Sequence, residues 1–292
     1  MCSIFRIKQL KNQIMKKILI PTDLSDLGDY AYGLAKKIAA PTNAEIHVLS
    51  IVAATSLILF DKEGIVKDCG DQNLTVLRQQ EKETIAKMEK WVLGKEDIKT
   101  TKVKIGIVED DILRYAAQND IDLIVMGTHG VYGIGEALRG SHAGHISLKS
   151  SVPVLSLKCD RSEMKINDLL FVCDFHKPEK IDLTMLKTFQ DVFDAKINLL
   201  KVNTPKDFEP QKQVIAKMQE FTDLNELGDV YFNVYSDESV EKGIVNFSAD
   251  TGIDFVTIGT HQRSGLSRLL KKSISIEIVN HLWQPVLTFP VG

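Results

Sequence analysis

Cysteine is scarce in this chain: four residues in 292, namely Cys2, Cys69, Cys159 and Cys173. None forms a C-x-x-C pair, which removes the usual metal knuckle. Few, unpaired thiols suit a reducing compartment. Cys159 and Cys173 each follow an apolar run and are expected as buried, reduced thiols. Long apolar runs are missing too; none reaches the roughly 18 residues of a membrane span. Excess positive charge is absent, the net charge being −3, so there is no electrostatic case for nucleic acid. The segment Met1 to Lys17 is basic but has neither an apolar core nor a small-residue cleavage site. It does not read as a signal peptide, and residues 1–14 are expected to be a disordered extension.

Three chemical signatures are also lacking. There is no Gly-x4-Gly-Lys-Ser/Thr run and no Gly-x-Gly-x-x-Gly after the first strand, which disfavours a P-loop NTPase and a dinucleotide oxidoreductase. Gly133 and Gly135 are close together but in the wrong loop. No Gly-x-Ser-x-Gly elbow occurs. His142 and His145 stand three apart near a helix start, where they could face together. Two histidines fall short of the four ligands of a structural zinc.

What is present is ordinary globular composition, 44% hydrophobic and 26% charged, arranged as alternating strands and helices. Lys17 to Asp23 reads as a strand, with Ser25 and Asp26 able to cap a helix from about Leu27 to Ala40. Glu45 to Val52 is a second strand, and residues 53–72 are irregular. Within them the apolar 57–60 stretch is expected as core, with a lid or interface element as the alternative. A long helix from about Asn73 to Leu93 should bury Leu74, Leu77, Ile85, Met88 and Val92 on one face. Strands at Thr101–Val108, Asp122–Gly127 and Val152–Leu157, with helices at Asp110–Gln118 and Ser141–Lys149, complete the unit. Short continuous apolar strands between helices predict a doubly wound α/β domain with a five-stranded, mostly parallel sheet.

The second half repeats the first. Asp254-Phe-Val-Thr-Ile-Gly-Thr-His261 matches Asp122-Leu-Ile-Val-Met-Gly-Thr-His129, and Gln284-Pro-Val-Leu matches the strand at Val152. Gly127 to Pro153 and Gly259 to Pro285 both span 26 positions. Asp23 to Gly127 spans 104 against 85 from Asp174 to Gly259, so the first copy carries 19 extra residues. The expected organisation is domain 1 at 15–158, a short charged linker at 159–165, and domain 2 at 166–292. A linker that brief keeps the two units in contact.

The chemistry sits in one loop. Gly127-Thr-His-Gly130 is followed after nine residues by Gly140-Ser141. Ligands of open α/β sheets bind beyond the carboxyl ends of strands. Gly127 stands at such an end and, lacking a Cβ, would let a ribose or phosphate approach. Gly130 lets the loop turn back. Gly140 and Ser141 open a helix whose free N–H groups make an anion site. Across the cleft, Asp23 could accept from an adenine amino group or a sugar hydroxyl, and Ile51 and Val52 could wall the base. Taken alone, Gly-x-x-Gly is as readily a mere connecting loop.

With these residues the sequence resembles the tandem universal stress proteins from Lys16 onward. The nucleotide-binding members carry Gly-x2-Gly-x9-Gly-Ser/Thr, which Gly127, Gly130, Gly140 and Ser141 match, while Asp23 matches the strand-one aspartate and Ile51 the adenine-contacting apolar residue. The resemblance implies ATP, with AMP or ADP as alternatives and Mg²⁺ as companion ion, bound by Pro21, Thr22, Asp23, Ile51, Met126, Gly127, His129, Gly130, Gly140, Ser141, His142 and Ala143. It implies a cytoplasmic stress-response module with slow turnover or none. The alternative is an interaction protein whose two domains form a pseudo-dimer through their fifth strands. A homodimer of the whole chain is compatible with either. His142 departs from the small residue usual there; it would narrow the phosphate site or contact a phosphate. His129 has a counterpart in His261, which favours a loop-structuring role. In the second copy Gln262 and Lys272 replace two glycines, and Arg263, Arg268, Lys271 and Lys272 make the loop basic. That loop reads as solvated surface, with a separate anion or partner site as the sharper option.

Overall fold

A computed structural model describes residues 15–54, 59–60, 66–68, 74–128, 142–173, 175, 179–260 and 272–290. The first half runs β1 (Lys17–Pro21), α1 (Asp26–Thr42), β2 (Glu45–Ala53), a small hairpin β3 (Leu59–Phe60) and β4 (Val66–Asp68), then α2 (Leu74–Trp91). It continues with β5 (Ile98–Gly106), α3 (Val108–Gln118), β6 (Leu123–Gly127), α4 (His142–Lys149) and β7 (Val154–Leu157). The second half follows as β8 (Asp168–Val172), α5 (Thr184–Phe193), β9 (Lys196–Asn203), α6 (Gln211–Leu224) and β10 (Val230–Ser236). It ends with α7 (Val240–Thr251), β11 (Phe255–Thr260), α8 (Lys272–His281) and β12 (Val286–Pro290). The expected strands and helices all appear, most with ends within one or two residues; β5 begins three residues earlier than expected.

One ten-stranded sheet holds both halves, in the order β10-β9-β8-β11-β12-β7-β6-β1-β2-β5. Within each half all pairings of this sheet are parallel, the separate β3–β4 hairpin being antiparallel. Each half therefore places its first strand beside both its second and its fourth. The halves meet where β7 and β12 pair antiparallel, Val286 opposite Ser156 and Thr288 opposite Val154. Two buried hydroxyls tighten this seam: Ser156 Oγ donates to the Val286 carbonyl and Thr288 Oγ1 to the Val154 carbonyl. Because the seam is antiparallel, the carboxyl ends of the two halves open at opposite edges of the sheet.

Strand alternation divides the core between the two faces. One face packs Ile18, Ile20, Val48, Leu123, Val125 and Leu155 under α1, and continues without a break to Leu169, Phe171, Phe255 and Phe289 under α5 and α6. The other packs Leu19, Leu49, Ile124 and Met126 under α3 and α4, continuing to Leu170, Ile258 and Val286 under α7 and α8. Helices α4 and α8 lie against each other across the seam. Each of these buried side chains contributes about 1.5–3 kcal/mol relative to exposure, so the seam belongs to the core.

Residues 158–165 are clamped from both sides. Lys37 Nζ donates to the carbonyls of Ser162 and Met164. Lys158 Nζ donates to the Asn280 carbonyl at 2.5 Å and Arg161 to that of Trp283 at 3.2 Å. Burial pushes the Lys158 amine down to about 8. Cys173 is buried as expected, whereas Cys159 is only half-buried; it lies on the surface turn leaving β7.

Two other expectations need correction. Leu77 and Met88 of α2 are buried, but Leu74 and Ile85 are 37% and 42% exposed. The helix lies over β2 and the outermost strand β5, so a narrower stripe than its sequence offers meets the sheet. Ser25 occupies the N-cap of α1, yet its side chain makes no cap bond; its hydroxyl donates instead to Asp23 Oδ1. Residues 57 and 58 lie outside the described residues, as do residues 1–14.

Candidate functional site

The site grows from strand order. β1 lies between β2 and β6, and the chain leaves these strands in opposite directions across the sheet. Their carboxyl ends therefore diverge at a switch point, where open α/β sheets hold ligands. Ile18 pairs with Leu123 and Leu19 with Ile124; continuing that register brings Pro21 level with Met126 and Thr22 level with Gly127. The Thr22 N–H donates to the Leu49 carbonyl and the Thr128 N–H to that of Leu157. Thus Pro21, Thr22, Gly127 and Thr128 come together at one edge, with Ile51 two residues beyond Leu49 on β2.

The turn after β1 is tightly organised. Thr22 Oγ1 accepts from the Leu24 N–H at 2.8 Å. Asp23 is exposed, and its Oδ1 accepts from the Ser25 N–H at 3.1 Å and the Ser25 hydroxyl at 2.6 Å. Leu24 adopts φ 66°, a left-handed conformation that non-glycine residues rarely take. The turn thereby fixes the Asp23 carboxylate beside the end of β1. Ile51 is half-buried against the cluster that contains Met126 and Ala143, so these three line a common apolar side.

Gly127 has a packing reason to be glycine beside the one expected. A Cβ there would lie 2.6 Å from both the Cβ and the carbonyl oxygen of Leu27. The first turn of α1 fills that space, so helix–strand packing dictates the residue. Gly28 tells the same story from the helix side, a Cβ there meeting Thr22 Oγ1 at 2.1 Å.

At the start of α4, His142 is exposed and Ala143 buried. His142 and His145 do share a face, and both turn their Nδ1 to Glu109 Oε1 of α3, at 3.3 and 2.9 Å. Lys149 Nζ lies 3.5 Å from the other oxygen. Burial opposes charge on Glu109, but His145, His142 and Lys149 outweigh it and hold the carboxyl below its usual range. Sequence reasoning missed Glu109; the only signal was a run of three acids, Glu109-Asp110-Asp111, opening the helix that faces α4. Asp111 is a second missed group. Its carboxylate is buried and pairs with Lys104 at 3.0 Å and Arg114 at 2.8 Å, and Lys104 sits beside Ile51 in the β2–β5 register. His129, Gly130, Gly140 and Ser141 lie outside the described residues. Among the described residues no group of three or more His, Cys, Asp or Glu side chains is placed to hold a metal ion.

The sequence model of the universal stress protein family matches this chain twice, over residues 15–158 and 169–290. The chain belongs to the universal stress protein family. It is 30% identical to universal stress protein MJ0531 of Methanocaldococcus jannaschii over 157 residues, 51% of this chain and 86% of that one. It is 29% identical to MJ0577 of the same organism over 154 residues, 49% of this chain and 94% of that one. A universal stress protein structure from Archaeoglobus fulgidus DSM 4304 overlays with a TM-score of 0.67 at 19% identity, covering 94% of this chain and 96% of that one. That last likeness speaks for the fold.

The second universal stress protein unit repeats the backbone and packs differently at the end of its second strand. Phe175, the counterpart of Leu24, has φ 53°, so the left-handed turn after the first strand belongs to the fold. Val202 stands for Ile51, and Gly243 of α7 stands for Asp111 of α3. A Cβ at Gly243 would meet Val202 Cγ1 at 2.4 Å, so α7 presses on the residue that would wall a base. The chain after β9 folds back over the strand end: the buried Lys201 amine lies 2.5 Å from Asp207 Oδ2, and Asn203 Nδ2 donates to the Glu209 carbonyl at 2.9 Å. Asp174, His261, Gln262, Arg263, Arg268 and Lys271 lie outside the described residues, and Lys272 opens α8.

Proposed function

We propose that the first unit binds an adenine nucleotide, ATP in the first instance, and that the chain works as a nucleotide-responsive stress module in the cytoplasm. The observation that carries this reading is the meeting of Pro21–Asp23 and Gly127–Thr128 at the switch point from which the Gly-x2-Gly-x9-Gly-Ser loop departs. Asp23 offers an exposed acceptor for a sugar hydroxyl or the adenine amino group, and Ile51 an apolar wall. Gly130, Gly140 and Ser141 would cradle phosphates at the start of α4, where N–H groups and the helix dipole favour anions. His142 would reach a phosphate in exchange for Glu109.

The fit extends to the nucleotide but gives little to a resident metal. In this reading Mg²⁺ arrives on the phosphates. No described side chain is poised as a general base beside a γ-phosphate, which supports slow hydrolysis or none. The continuous sheet across β7 and β12 favours a second role: the two units act as a pseudo-dimer that presents one rigid surface to a partner, whatever the cleft holds.

Mass spectrometry of small molecules released from the purified, folded protein tests the reading. The expected result is an adenine nucleotide at close to one per chain, lost in Gly140→Lys. Protein that is folded, free of nucleotide and unresponsive to added ATP, ADP and AMP would overturn it and leave the interaction role.

A further inference from the structure

Two positions are exchanged between the units at the outer ends of the sheet. In the first unit β5 ends at Gly106, and the fourth residue of α3 is Asp111. In the second, the strand registers put Asp237 in the place of Gly106, and the fourth residue of α7 is Gly243. Close packing explains both glycines. A Cβ at Gly106 would lie 2.1 Å from Asp111 Oδ2. One at Gly243 would lie 2.4 Å from Val202 Cγ1 and 3.3 Å from the Asp237 Cβ. Val202, beneath α7, is 3% exposed. Asp111 has a Cβ and a carboxylate where α7 has neither, so α3 cannot come as close to Ile51, which stays half-buried.

The Asp111 carboxylate is buried and held from three sides. Its Oδ2 accepts from the Ile107 N–H in the turn at 2.9 Å. Its Oδ1 accepts from Lys104 Nζ of β5 at 3.0 Å and from the Arg114 guanidinium of α3 at 2.8 Å. Lys104 is level with Ile51 in the parallel β2–β5 pairing, so the two side chains leave the sheet on the same face. The start of α3 is thus tied to the strand residue beside the proposed base wall. Burying a charge is costly even when it is paired, and the second unit makes the same strand–helix crossing with a glycine. The demands of the fold therefore do not account for Asp111. We propose that Asp111 is a positioning residue of the nucleotide site, an inference that rests on the reading of the first unit as an adenine-nucleotide binder. It props the start of α3 on Gly106 and Lys104, away from Ile51, and so keeps the apolar wall free for a base. Its effect falls on the adenine end and does not depend on how many phosphates the ligand carries.

Calorimetric titration of the full chain with ATP and with AMP tests this. Asp111→Gly, which installs the residue of the second unit, should weaken both nucleotides by the same factor, roughly tenfold, with unchanged far-ultraviolet circular dichroism. Asp111→Asn keeps the bulk and an acceptor for the Ile107 N–H, and should retain most of the wild-type affinity for both. A second readout needs no nucleotide. The thiol introduced by Ile51→Cys, followed by peptide mass spectrometry, should be alkylated by iodoacetamide several-fold more slowly when Asp111→Gly is added. A folded Asp111→Gly variant that binds both nucleotides like the wild type, that loses ATP but keeps AMP, or that leaves the alkylation rate unchanged would overturn the proposal. A wild type that binds neither nucleotide overturns the nucleotide reading instead, and the alkylation rates alone then decide whether Asp111 keeps Ile51 uncovered.

Discussion

The two halves share strand order, strand-one turn and helix positions, yet they end differently at the second strand. In the first, Ile51 is half-buried and Asp111, one helix turn into α3, is tied to Lys104 and Arg114. In the second, glycine at the matching position brings α7 onto Val202, and the chain after β9 folds back with a Lys201–Asp207 pair. Loss of glycines in the loop is thus only part of what separates the copies; the ends of their second strands are packed differently as well. One copy keeps the loop glycines and leaves Ile51 half-buried, while the other lacks two of them and packs α7 onto Val202.

The largest expected effect tests the part the copies share. Gly127→Ala pushes a methyl into the Leu27 backbone at 2.6 Å, and overpacking of this kind costs about 1–3 kcal/mol. The urea midpoint of the first unit should fall accordingly. An unchanged midpoint would mean that α1 yields freely and that the glycine serves a ligand instead.

Next comes the part they do not share. Gly140→Lys, the residue carried by the second copy, should weaken ATP binding by calorimetry at least tenfold, or about 1.4 kcal/mol. Restoring glycines in the second copy with Gln262→Gly and Lys272→Gly should produce no second site, because α7 still presses on Val202 at the place of Ile51. A second binding event in that variant would show that the loop alone decides.

Smaller effects lie in the charges around the cleft and the seam. Glu109 is held below its usual range, so in the fold it stays ionised at a pH where the unfolded chain takes up a proton. Its contribution is present above about pH 4.5 and is lost as pH falls through the lower folded value. Glu109→Gln should therefore flatten the acid limb of stability against pH by lowering stability at neutral pH, and leave stability below the folded value little changed. Lys158 has the opposite sense. With its amine at about 8 against 10.5 in the unfolded chain, the folded protein gives up a proton that the unfolded chain keeps between those values. Stability should rise with pH across that window, and Lys158→Met should abolish the rise in thermal melts taken from pH 7 to 11 (~4 units of pH spanning the transition).

Much of this was legible in the residue pattern. Short apolar strands and the repeated 26-residue spacing gave both units and their order, because period and punctuation are local properties. What was not legible depends on which atoms meet across the fold. The contact of the glycine at 127 with Leu27 could not be read from the loop spacing. Ser25 looked like a cap and serves Asp23. Leu74 and Ile85 looked like core, but the sheet ends beneath α2. Glu109 carried no spacing signal, since its partners come from α4, and for Asp111 only Arg114, three residues on, could be read from spacing, Lys104 coming from β5. For Asp23 and Ile51, the sequence named residues that the fold brings to one edge; for Gly130, Gly140 and Ser141 the glycine spacing itself remains the argument.

The most direct test of the asymmetry is a calorimetric titration of the intact chain with ATP. The account predicts one nucleotide per chain, displaced by AMP or ADP and weakened by Asp23→Ala. Two equivalent sites per chain, or none in folded protein, would contradict it.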